Sequence, residues 1–394
     1  MKFATRLLTF DPAPGDRYTP ANTPIYQTAT FRQDNATEFG EYDYCRSGNP
    51  TRSVVEKQIA ALEAGSRGFC FATGLAAITA VTRLVSPGEE ILACDDLYGG
   101  TYRLFSRILA KRGISVRYVD FGDPDAVAAS IRSNTRLVYL ETPTNPLLQI
   151  IDIRAVADIA HRSGAVVCVD NSTMSPYLQR PLELGADIAL HSATKFLCGH
   201  SDVMAGAVVV NDEQLGEELY LIQNGEGAGL APFDSYLLLR GTKTLSLRLD
   251  RQQANAKAIA EFLDAQPAVS GIYYPGFAEP EQLRIHRSQA SGDGAVLSFA
   301  TGDPEFSRAV VEATKLFAIT VSFGGVNSTI SLPNYMSHAS IPESVRHLKS
   351  IPRDLVRVSV GAEDVDDLLD DLGQAFEFAA RQSRESRVFG VAAD

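Results

Sequence analysis

A short polar turn in the middle of the chain brings two hydroxyl groups and an amine within four residues. The apolar run that ends at Leu190 is followed by Ser192, Thr194 and Lys195. A lysine whose ammonium form is destabilised by burial or by a cationic neighbour becomes a nucleophilic amine that can bond to a carbonyl group. Taken alone, the same pattern is more typical of an exposed lysine after a turn.

Three further polar or aromatic positions also follow predicted strands. Asp170 ends the apolar run 165–169, and an acid there points into the crevice where open α/β sheets bind ligands. Gly74 and Leu75 open a predicted helix, whose free amides can bind a phosphate. Tyr98 follows the run 90–93 and could stack on a flat ring. Each position also has an ordinary interpretation, as a turn or cap residue, a tight turn or a loop aromatic.

These four places share one geometry, because the carboxyl ends of parallel strands lie at one edge of a sheet. Together they supply a phosphate cradle, a stacking ring, a carboxylate and an amine. Enzymes that use pyridoxal phosphate (PLP) need such a set, including a carboxylate beside the pyridinium nitrogen, since the protonated ring is the electron sink. The combination favours a PLP site over four unrelated turns.

The elements that must position these residues change character along the chain. Four prolines among the first 24 residues forbid a long helix, so the start is predicted to be an arm. Between about 50 and 212, apolar runs of four to six residues alternate with helical stretches, two of them at 54–64 and about 100–111. That alternation predicts βαβ units around a parallel sheet buried on both faces.

After residue 232 the alternation is replaced by longer helical patterns and a few isolated strands. One helix or two, broken near Gly241, are predicted over 233–264, and the last helix begins near Glu363. Residues 381–394 lack periodicity and are expected to fray. The predicted strands lie at 272–274, 295–300 and 355–360.

Composition excludes several classes of protein. The 394 residues include 36 Lys+Arg and 48 Asp+Glu, a net charge of −12 that argues against a nucleic-acid binder. No apolar run approaches the roughly 18 residues of a membrane helix, and the start does not resemble a secretory signal. Five widely spaced cysteines and no H-E-x-x-H give no support for a disulfide framework or a metal site. We expect a cytoplasmic protein without metal, membrane or nucleic-acid partners.

From about Tyr42 to Ala380 the sequence resembles the fold-type I PLP enzymes of cysteine and methionine metabolism. The resemblance implies an α/β, aspartate aminotransferase-like PLP-dependent transferase fold with a mainly parallel sheet in the large domain. It divides the chain into an N-terminal arm (1–46), a PLP-binding large domain (47–246) and a smaller α/β C-terminal domain (247–394). The matching motifs are Y-C-R-S-G-N-P-T at 44–51, E-T-P-T-N-P at 141–146, D-N-S at 170–172, M-S-P at 174–176, the lysine segment 187–201 and L-V-R-V-S-V-G at 355–361.

The resemblance also implies roles for individual residues toward the cofactor. Lys195 would hold PLP and act as the catalytic base, Asp170 would pair with the ring nitrogen, and Tyr98 would stack on the ring. Asn145 would contact the ring as well. The phosphate would be bound by the amides of Gly74 and Leu75 and by Ser192 and Thr194. Cys45 and Thr73 stand where serine is usual in the family, a difference expected to have little effect.

Other roles concern the substrate and the neighbouring subunit. Tyr44 and Arg46 would reach the phosphate of a neighbour's cofactor, which implies a homotetramer, a dimer of dimers, with shared active sites. Tyr44 could also protonate the leaving group. Arg357 would bind the α-carboxylate of a small amino-acid substrate as a two-pronged fork. The remaining substrate candidates are Ser328, Asn327 and, more weakly, Arg103.

Two segments, 221–234 and 333–342, resemble cystathionine β-lyases of the plant type. Asn327 stands where γ-lyases and γ-synthases usually have Glu, and Gly100 where methionine γ-lyases usually have Cys. The implied reaction is β-elimination of L-cystathionine to homocysteine, pyruvate and ammonia in methionine and cysteine metabolism. Cystathionine γ-lyase, γ-synthase and methionine γ-lyase activities are alternatives within the family.

Two alternatives come from other classes. A nicotinamide-dependent dehydrogenase also fits the alternation of strands and helices, but it lacks a G-x-G-x-x-G between a strand and a helix with an acid about 20 residues on. A non-catalytic binding protein would be colourless, whereas a PLP enzyme is yellow.

Overall fold

The computed structural model describes residues 1–339 and 351–388, with side chains to residue 385. A seven-stranded sheet has the order β1-β7-β6-β5-β4-β2-β3. Strand β7 is antiparallel to both of its neighbours, so the other six strands all run in one direction. Its strands are β1 (Arg67–Phe71), β2 (Glu90–Cys94), β3 (Ser115–Val119), β4 (Thr135–Glu141), β5 (Val166–Asp170), β6 (Ile188–His191) and β7 (Gly206–Val210).

The helices around this sheet begin at residues suited to capping. Asn49 accepts hydrogen bonds from the amides of Thr51 and Arg52, and Pro50 occupies the first helical position, so the helix predicted from residue 54 starts four residues earlier. The elements that precede the strands or follow them are α1 (Phe3–Arg6), α2 (Pro50–Leu62), α3 (Gly74–Thr82), α4 (Gly99–Arg103), α5 (Pro124–Ser130), α6 (Ile153–His161), α7 (Ser175–Leu178), α8 (Glu213–Glu226) and α9 (Pro232–Thr242).

The prediction of one continuous α-helix at about 100–111 is wrong. Helix α4 ends at Arg103 and is followed by a π-helical turn, Leu104–Ile108, and a 3₁₀ turn, Leu109–Arg112. Gly113 then takes a left-handed conformation with φ of 75°. The apolar periodicity alone does not distinguish these hydrogen-bonding patterns.

A second sheet of five strands has the order β10-β11-β12-β9-β8. The predicted break near Gly241 is present, since α9 ends at Thr242 and α10 begins at Leu245. The strands are β8 (Gly271–Tyr273), β9 (Val296–Ala300), β10 (Ala318–Ile319), β11 (Thr329–Ser331) and β12 (Val356–Ser359). The helices are α10 (Leu245–Asp264), α11 (Pro280–Gln289), α12 (Pro304–Ala313) and α13 (Val365–Val388), with 3₁₀ turns at Pro181–Leu184 and Pro275–Phe277.

The expectation that the chain frays from residue 381 is wrong for its first part, because α13 continues to Val388. The segment from Arg381 contains no Pro or Gly until Gly390, and Arg, Gln and Glu favour helix even without a buried face. The rest of that prediction, from 389 on, lies outside the described residues.

Both sheets share one apolar core. The cluster that contains Val55 of α2 and Val209 of β7 also contains Leu249 of α10, Val296 of β9 and Val358 of β12. A second cluster covers the other face of the seven-stranded sheet. The predicted boundary at 246/247 falls within α10, whose buried side chains belong to the shared core; the three-part division remains a prediction.

The N-terminal arm contains one short helix and one local bridge. Thr30 pairs with Tyr44 in an antiparallel bridge, flanked by hydrogen bonds from Phe31 N to Asp43 O (2.8 Å) and from Cys45 N to Ala29 O (2.9 Å). Within the described part of the chain, no helix is long and apolar enough to cross a bilayer.

Candidate active site

Lys195 follows β6 and lies in a largely enclosed position. Its Nζ is 2.5 Å from Oγ of Ser322 and 5.0 Å from the centre of the Phe323 ring. Burial and, to a lesser extent, the positive charge of Arg357 lower the pKa of Lys195 to about 8, while the charge of Asp170 opposes the shift. The amine is therefore close to its neutral, nucleophilic form at physiological pH.

Asp170 ends β5 at the same edge of the sheet. Its carboxylate accepts hydrogen bonds from the Tyr139 hydroxyl at 3.1 Å and from the amide and hydroxyl of Ser172 at 3.0 and 2.5 Å. Burial raises the pKa of Asp170, while the bonds from Ser172, the charge of His191 and the bond from Tyr139 oppose that rise. The carboxylate is thus a buried, oriented acceptor suited to a protonated ring nitrogen.

The start of α3 meets the turn before Lys195 at close range. A side chain at Gly74 would place its Cβ 2.8 Å from Cβ and Oγ of Ser192, so only glycine fits. Thr73 caps the helix by accepting from Ala76 N at 2.9 Å, which leaves the amides of Gly74 and Leu75 at the open helix end. That end is a place for a phosphate.

Thr194 differs from the prediction in its orientation. Its hydroxyl accepts from the amide of Ala205 at 2.9 Å and donates to the carbonyl of Ala205 at 3.2 Å. The hydroxyl would have to leave that carbonyl before it could donate to a phosphate. Ser192 is closer to the predicted role, since its side chain adjoins Gly74.

Arg357 of β12 is only 2% exposed. It contacts Ser322, the residue that also bonds to Lys195. Nη1 donates to Oδ1 of Asn145 at 3.0 Å, and Nη2 donates to the carbonyl of Ser322 at 2.6 Å. Nε is buried without a hydrogen-bond partner, and no carboxylate pairs with Arg357 in the described residues. Burial lowers the pKa of this guanidinium to about 10. An unpaired buried donor of this kind is suited to a bound carboxylate.

Tyr98 and Arg103 lie at opposite ends of α4, and only Tyr98 adjoins the site. Tyr98 is 40% exposed, and its amide donates to Oε1 of Glu141 at 2.9 Å. A side chain at Gly100 would collide with the Tyr98 ring, so a Cys at that position would force the ring to move. Arg103 is exposed and is not brought to the cluster around Lys195.

Tyr44 and Arg46 are also on the surface of the single chain. Arg46 Nη1 donates to O and Oδ1 of Asn224 at 2.7 and 2.9 Å, and its guanidinium carbon lies 5.4 Å from the centre of the Tyr44 ring. Tyr44 is 43% exposed. No contact recorded in the described residues joins either side chain to Lys195 or Arg357 of the same chain.

The two remaining substrate candidates do not join the cluster. The Ser328 hydroxyl is fully buried, donates to Oε2 of Glu363 at 2.9 Å and accepts from Gly361 N at 2.9 Å. Its only hydrogen is therefore used within the protein. Asn327 is exposed. The nearby residue Ser322, in contrast, contacts Lys195.

Sequence reasoning missed four residues that shape the site. Ser322 and Phe323 contact Lys195, while Tyr139 and Ser172 orient Asp170. Ser172 lies in the D-N-S motif, but the sequence does not show where the side chain of Ser172 or of Ser322 points. Ser322 has a φ of 83°, a left-handed conformation unusual for a residue with a side chain.

The residues present fit PLP. The fit rests on three features. Lys195 supplies an enclosed amine with a lowered pKa, and Asp170 supplies a buried carboxylate at the neighbouring strand end. The start of α3 has free amides, and its Gly74 packs closely against Ser192. The unpaired Nε of Arg357 adds a place for the carboxylate of an amino acid.

Comparisons with known proteins agree with this arrangement. The chain is 54% identical to the chloroplastic cystathionine beta-lyase of Arabidopsis thaliana over 92% of its own length and 78% of that protein. It is 48% identical to cystathionine beta-lyase MetC of Bacillus subtilis, over 90% and 91% of the two chains. A solved structure of cystathionine gamma-lyase from Lactobacillus plantarum, in complex with L-serine, superposes with a TM-score of 0.92 at 43% identity, covering 96% of this chain and 100% of that one.

The predicted fold class is confirmed by the mostly parallel sheet, by the second, smaller sheet and by the similar solved structure. The predicted cofactor is confirmed by the family and by that structure, and the nicotinamide alternative is not supported. The model of one family matches residues 4–377, almost the whole chain. The chain belongs to the Cys/Met metabolism PLP-dependent enzyme family.

Proposed function

We propose that this protein is a carbon–sulfur lyase that performs β-elimination on L-cystathionine and releases homocysteine, pyruvate and ammonia. The observation that supports this most directly is the position of Ser322. Its hydroxyl contacts the Lys195 amine, and its carbonyl accepts from Arg357. One residue thus contacts both a base and a carboxylate-binding fork, the two groups that would act on an α-amino acid.

Substrate binding begins at Arg357. The guanidinium is held from two sides by Asn145 and Ser322, so its plane is fixed before a substrate arrives. A substrate α-carboxylate would satisfy the unpaired Nε and share the Nη2 donor. A substrate bound in this way would have its Cα on the side of Lys195, because Ser322 contacts both Lys195 and Arg357.

Proton removal then belongs to Lys195. With a pKa near 8 its amine is a base matched to the pH at which it works. PLP, when bound, supplies the electron sink that stabilises the carbanion left at Cα. Asp170 would hold the positive charge of the ring nitrogen, and its bonds from Tyr139 and Ser172 fix the direction of the carboxylate.

Release of the thiol requires a proton at sulfur. As the Cβ–S bond breaks, the electron pair stays with sulfur and the thiolate takes a proton from Lys195 or from Tyr44 of a neighbouring subunit. The remaining three-carbon fragment hydrolyses to pyruvate and ammonia. A γ-elimination would need a second proton removal, at Cβ, and would yield 2-oxobutyrate.

The test of this proposal is the identity of the oxo acid. Incubation with L-cystathionine should give predominantly pyruvate, with homocysteine in equal amount. Predominant 2-oxobutyrate would overturn β-elimination in favour of the γ-lyase activity named for the Lactobacillus plantarum relative.

We also propose a homotetramer, a dimer of dimers that shares its active sites. Support comes from the exposure of Tyr44 and Arg46 and from further exposed aromatic side chains on the arm, Tyr18 and Phe39. The mass in solution should be four times the 42.6 kDa of the chain. A monomeric mass with full activity would contradict shared sites.

For localisation we propose the cytoplasm. All five cysteines are free and four of them are buried, which fits a reducing compartment. The names of two plant relatives include a chloroplast location, so fractionation of the native cells is the deciding measurement.

A further inference from the structure

A buried polar cluster lies behind the strand ends that present Asp170 and Ser192. Its centre is Glu63, the residue that ends α2, which is 0% exposed. Oε1 of Glu63 is 2.6 Å from Nε2 of His191 and accepts from Nδ2 of Asn171 at 2.9 Å. His191 and Asn171 are themselves buried. One carboxylate oxygen is thus bonded to the ends of two neighbouring strands.

The two bonded residues adjoin the site in sequence. Asn171 directly follows Asp170, and His191 directly precedes Ser192. Asp170 is in register with Leu190, and successive side chains of a strand point to opposite faces, so His191 lies on the face opposite Asp170. The cluster therefore lies on the face of the sheet opposite Asp170 and contacts the site only through the strand ends.

The amide of Asn171 has only one orientation that satisfies its neighbours. Nδ2 donates to the carbonyl of Gln179 at 2.7 Å as well as to Glu63, and Oδ1 accepts from Nε2 of Gln179 at 3.2 Å. Gln179 in turn donates to the carbonyl of Thr142 at 2.9 Å. These bonds fix Nδ2 of Asn171 as the atom that faces Glu63. The carboxylate of Glu63 is therefore the acceptor in this hydrogen bond.

The charge of Glu63 needs a partner in this dry location. Across residues 1–339 and 351–385, no Lys or Arg lies within salt-bridge distance of Glu63. His191 lies within that distance, and it would carry a positive charge if protonated. A carboxylate buried without a cation is costly, and a 2.6 Å contact is typical of a charge-assisted bond. Oε2 of Glu63 has no partner to accept a proton from it.

We propose that Glu63 and His191 form a buried ion pair that positions the ends of β5 and β6 and whose imidazolium charge keeps Asp170 ionised for the PLP ring nitrogen. Both are positioning residues, because neither reaches the cofactor. The inference rests on the proposed role of Asp170. Burial raises the pKa of Asp170 and the charge of His191 opposes that rise, in agreement with this role.

The test uses His191→Gln, Glu63→Gln and the double variant, each loaded with PLP labelled with ¹⁵N in its ring. We expect PLP affinity about tenfold lower and a ring-nitrogen signal moved toward the unprotonated form. Each single variant breaks the same pair, so the double variant should be no worse than either single one. Folded variants with unchanged affinity and an unchanged nitrogen signal would overturn the proposal.

A buried histidine beside a partly buried aspartate supplies a control away from the site. His286 is 0% exposed and lies 3.2 Å from Oδ1 of Asp293, and neither residue contacts Asp170, Ser192 or Lys195. His286→Gln should lower the melting temperature as His191→Gln does, but leave PLP affinity and the ring-nitrogen signal unchanged. Equal changes in both variants would show a general loss of stability and refute a specific role.

A protein that keeps Glu63 and His191 gives a check that does not depend on a substitution at the pair. In a background with His161→Gln, His286→Gln and His347→Gln, ¹⁵N-histidine spectra at pH 7.5 should show an imidazolium signal that disappears when His191→Gln is added. Absence of an imidazolium signal would overturn the ion pair. Covalent attachment of PLP at Lys195 tests the proposed function separately, because it does not require His191 to be charged.

Discussion

The strand ends around Lys195 and the N-terminal arm differ in how completely one chain builds them. Lys195, Asp170 and Arg357 are buried, and each is held by named partners on neighbouring elements. Tyr44 and Arg46 are exposed, and the Arg46 side chain bonds to Asn224 and lies over the Tyr44 ring. The strand ends around Lys195 form one part of the site within a single chain, whereas the arm exposes its functional side chains to solvent.

The lowered pKa values and the fixed side-chain directions of the site belong to its buried region. Burial lowers the pKa of Lys195 and Arg357, because it removes water from groups that cannot move away. The arm residues can take up their proposed roles only when another surface covers them. The chemistry should therefore fail completely when the buried region is changed and only partially when the arm is changed.

The largest effect is expected from Lys195→Ala. Loss of the amine removes both cofactor attachment and the base, so kcat should fall by about 10³-fold or more. Pyruvate release measures the loss. Lys257→Ala is the matched control, because Lys257 is an exposed lysine that pairs only with Glu261. Near wild-type turnover in Lys195→Ala would refute the mechanism.

The next effect concerns the carboxylate fork. Arg357→Lys keeps a charge but loses the planar pair of donors, so kcat/KM should fall about 100-fold, mainly through KM. Steady-state kinetics with L-cystathionine distinguish the two parameters. Arg103→Lys is the control on the exposed face and should change neither; a comparable loss there would place Arg103 in the site after all.

The arm can be tested by combining an inactive variant with one whose PLP binding is weakened. Arg46→Ala should bind PLP about tenfold more weakly, since a charged bond to the phosphate is lost. When Arg46→Ala and Lys195→Ala are co-expressed, random pairing in a two-fold dimer should restore about a quarter of the wild-type sites. No restoration, with both chains present in one oligomer, would contradict sharing.

The uptake of PLP should report the lowered pKa of Lys195. Only the neutral amine attacks the aldehyde, so the rate of reconstitution should rise with pH and level off above a midpoint near 8. Stopped-flow absorbance of the apoenzyme measures this profile. In Arg357→Gln the midpoint should move upward, because a positive charge that lowers this pKa is removed. A midpoint that stays near the ordinary lysine value in wild type would contradict the burial of the amine.

The smallest effect is expected from Asn327→Glu, a change toward the γ-type sequence. Because Asn327 is exposed, a carboxylate there acts through solvent, and the 2-oxobutyrate fraction should rise by less than about threefold. Chromatography of the oxo acids measures the ratio. A complete change of product would show that this exposed position controls the reaction; no change would show that it is not a determinant.

The sequence predicted the site residues that follow buried strands, because strand ends fix both position and direction. Lys195, Asp170 and Gly74 are in this group. It failed where a side chain had two possible directions: Ser328 turns to Glu363, and Thr194 turns to Ala205. Ser322 was missed because its contact with Lys195 joins residues 127 positions apart.

The fold shows the same division. The parallel strands were predicted from apolar runs, but β7 was missed, and its antiparallel direction depends on pairing with β1 and β6 rather than on its own residues. The start of α2 at Pro50 could have been predicted from Asn49 and its proline. The π-helical turn after α4 has no such local signal.

The central claim is that Lys195 holds PLP within this site. Its most direct test is reduction of the purified enzyme with borohydride, followed by peptide mapping. The account predicts a yellow protein whose visible band disappears on reduction, with the pyridoxyl label on Lys195 alone. A colourless protein after incubation with PLP, or a label on any other residue, would contradict it.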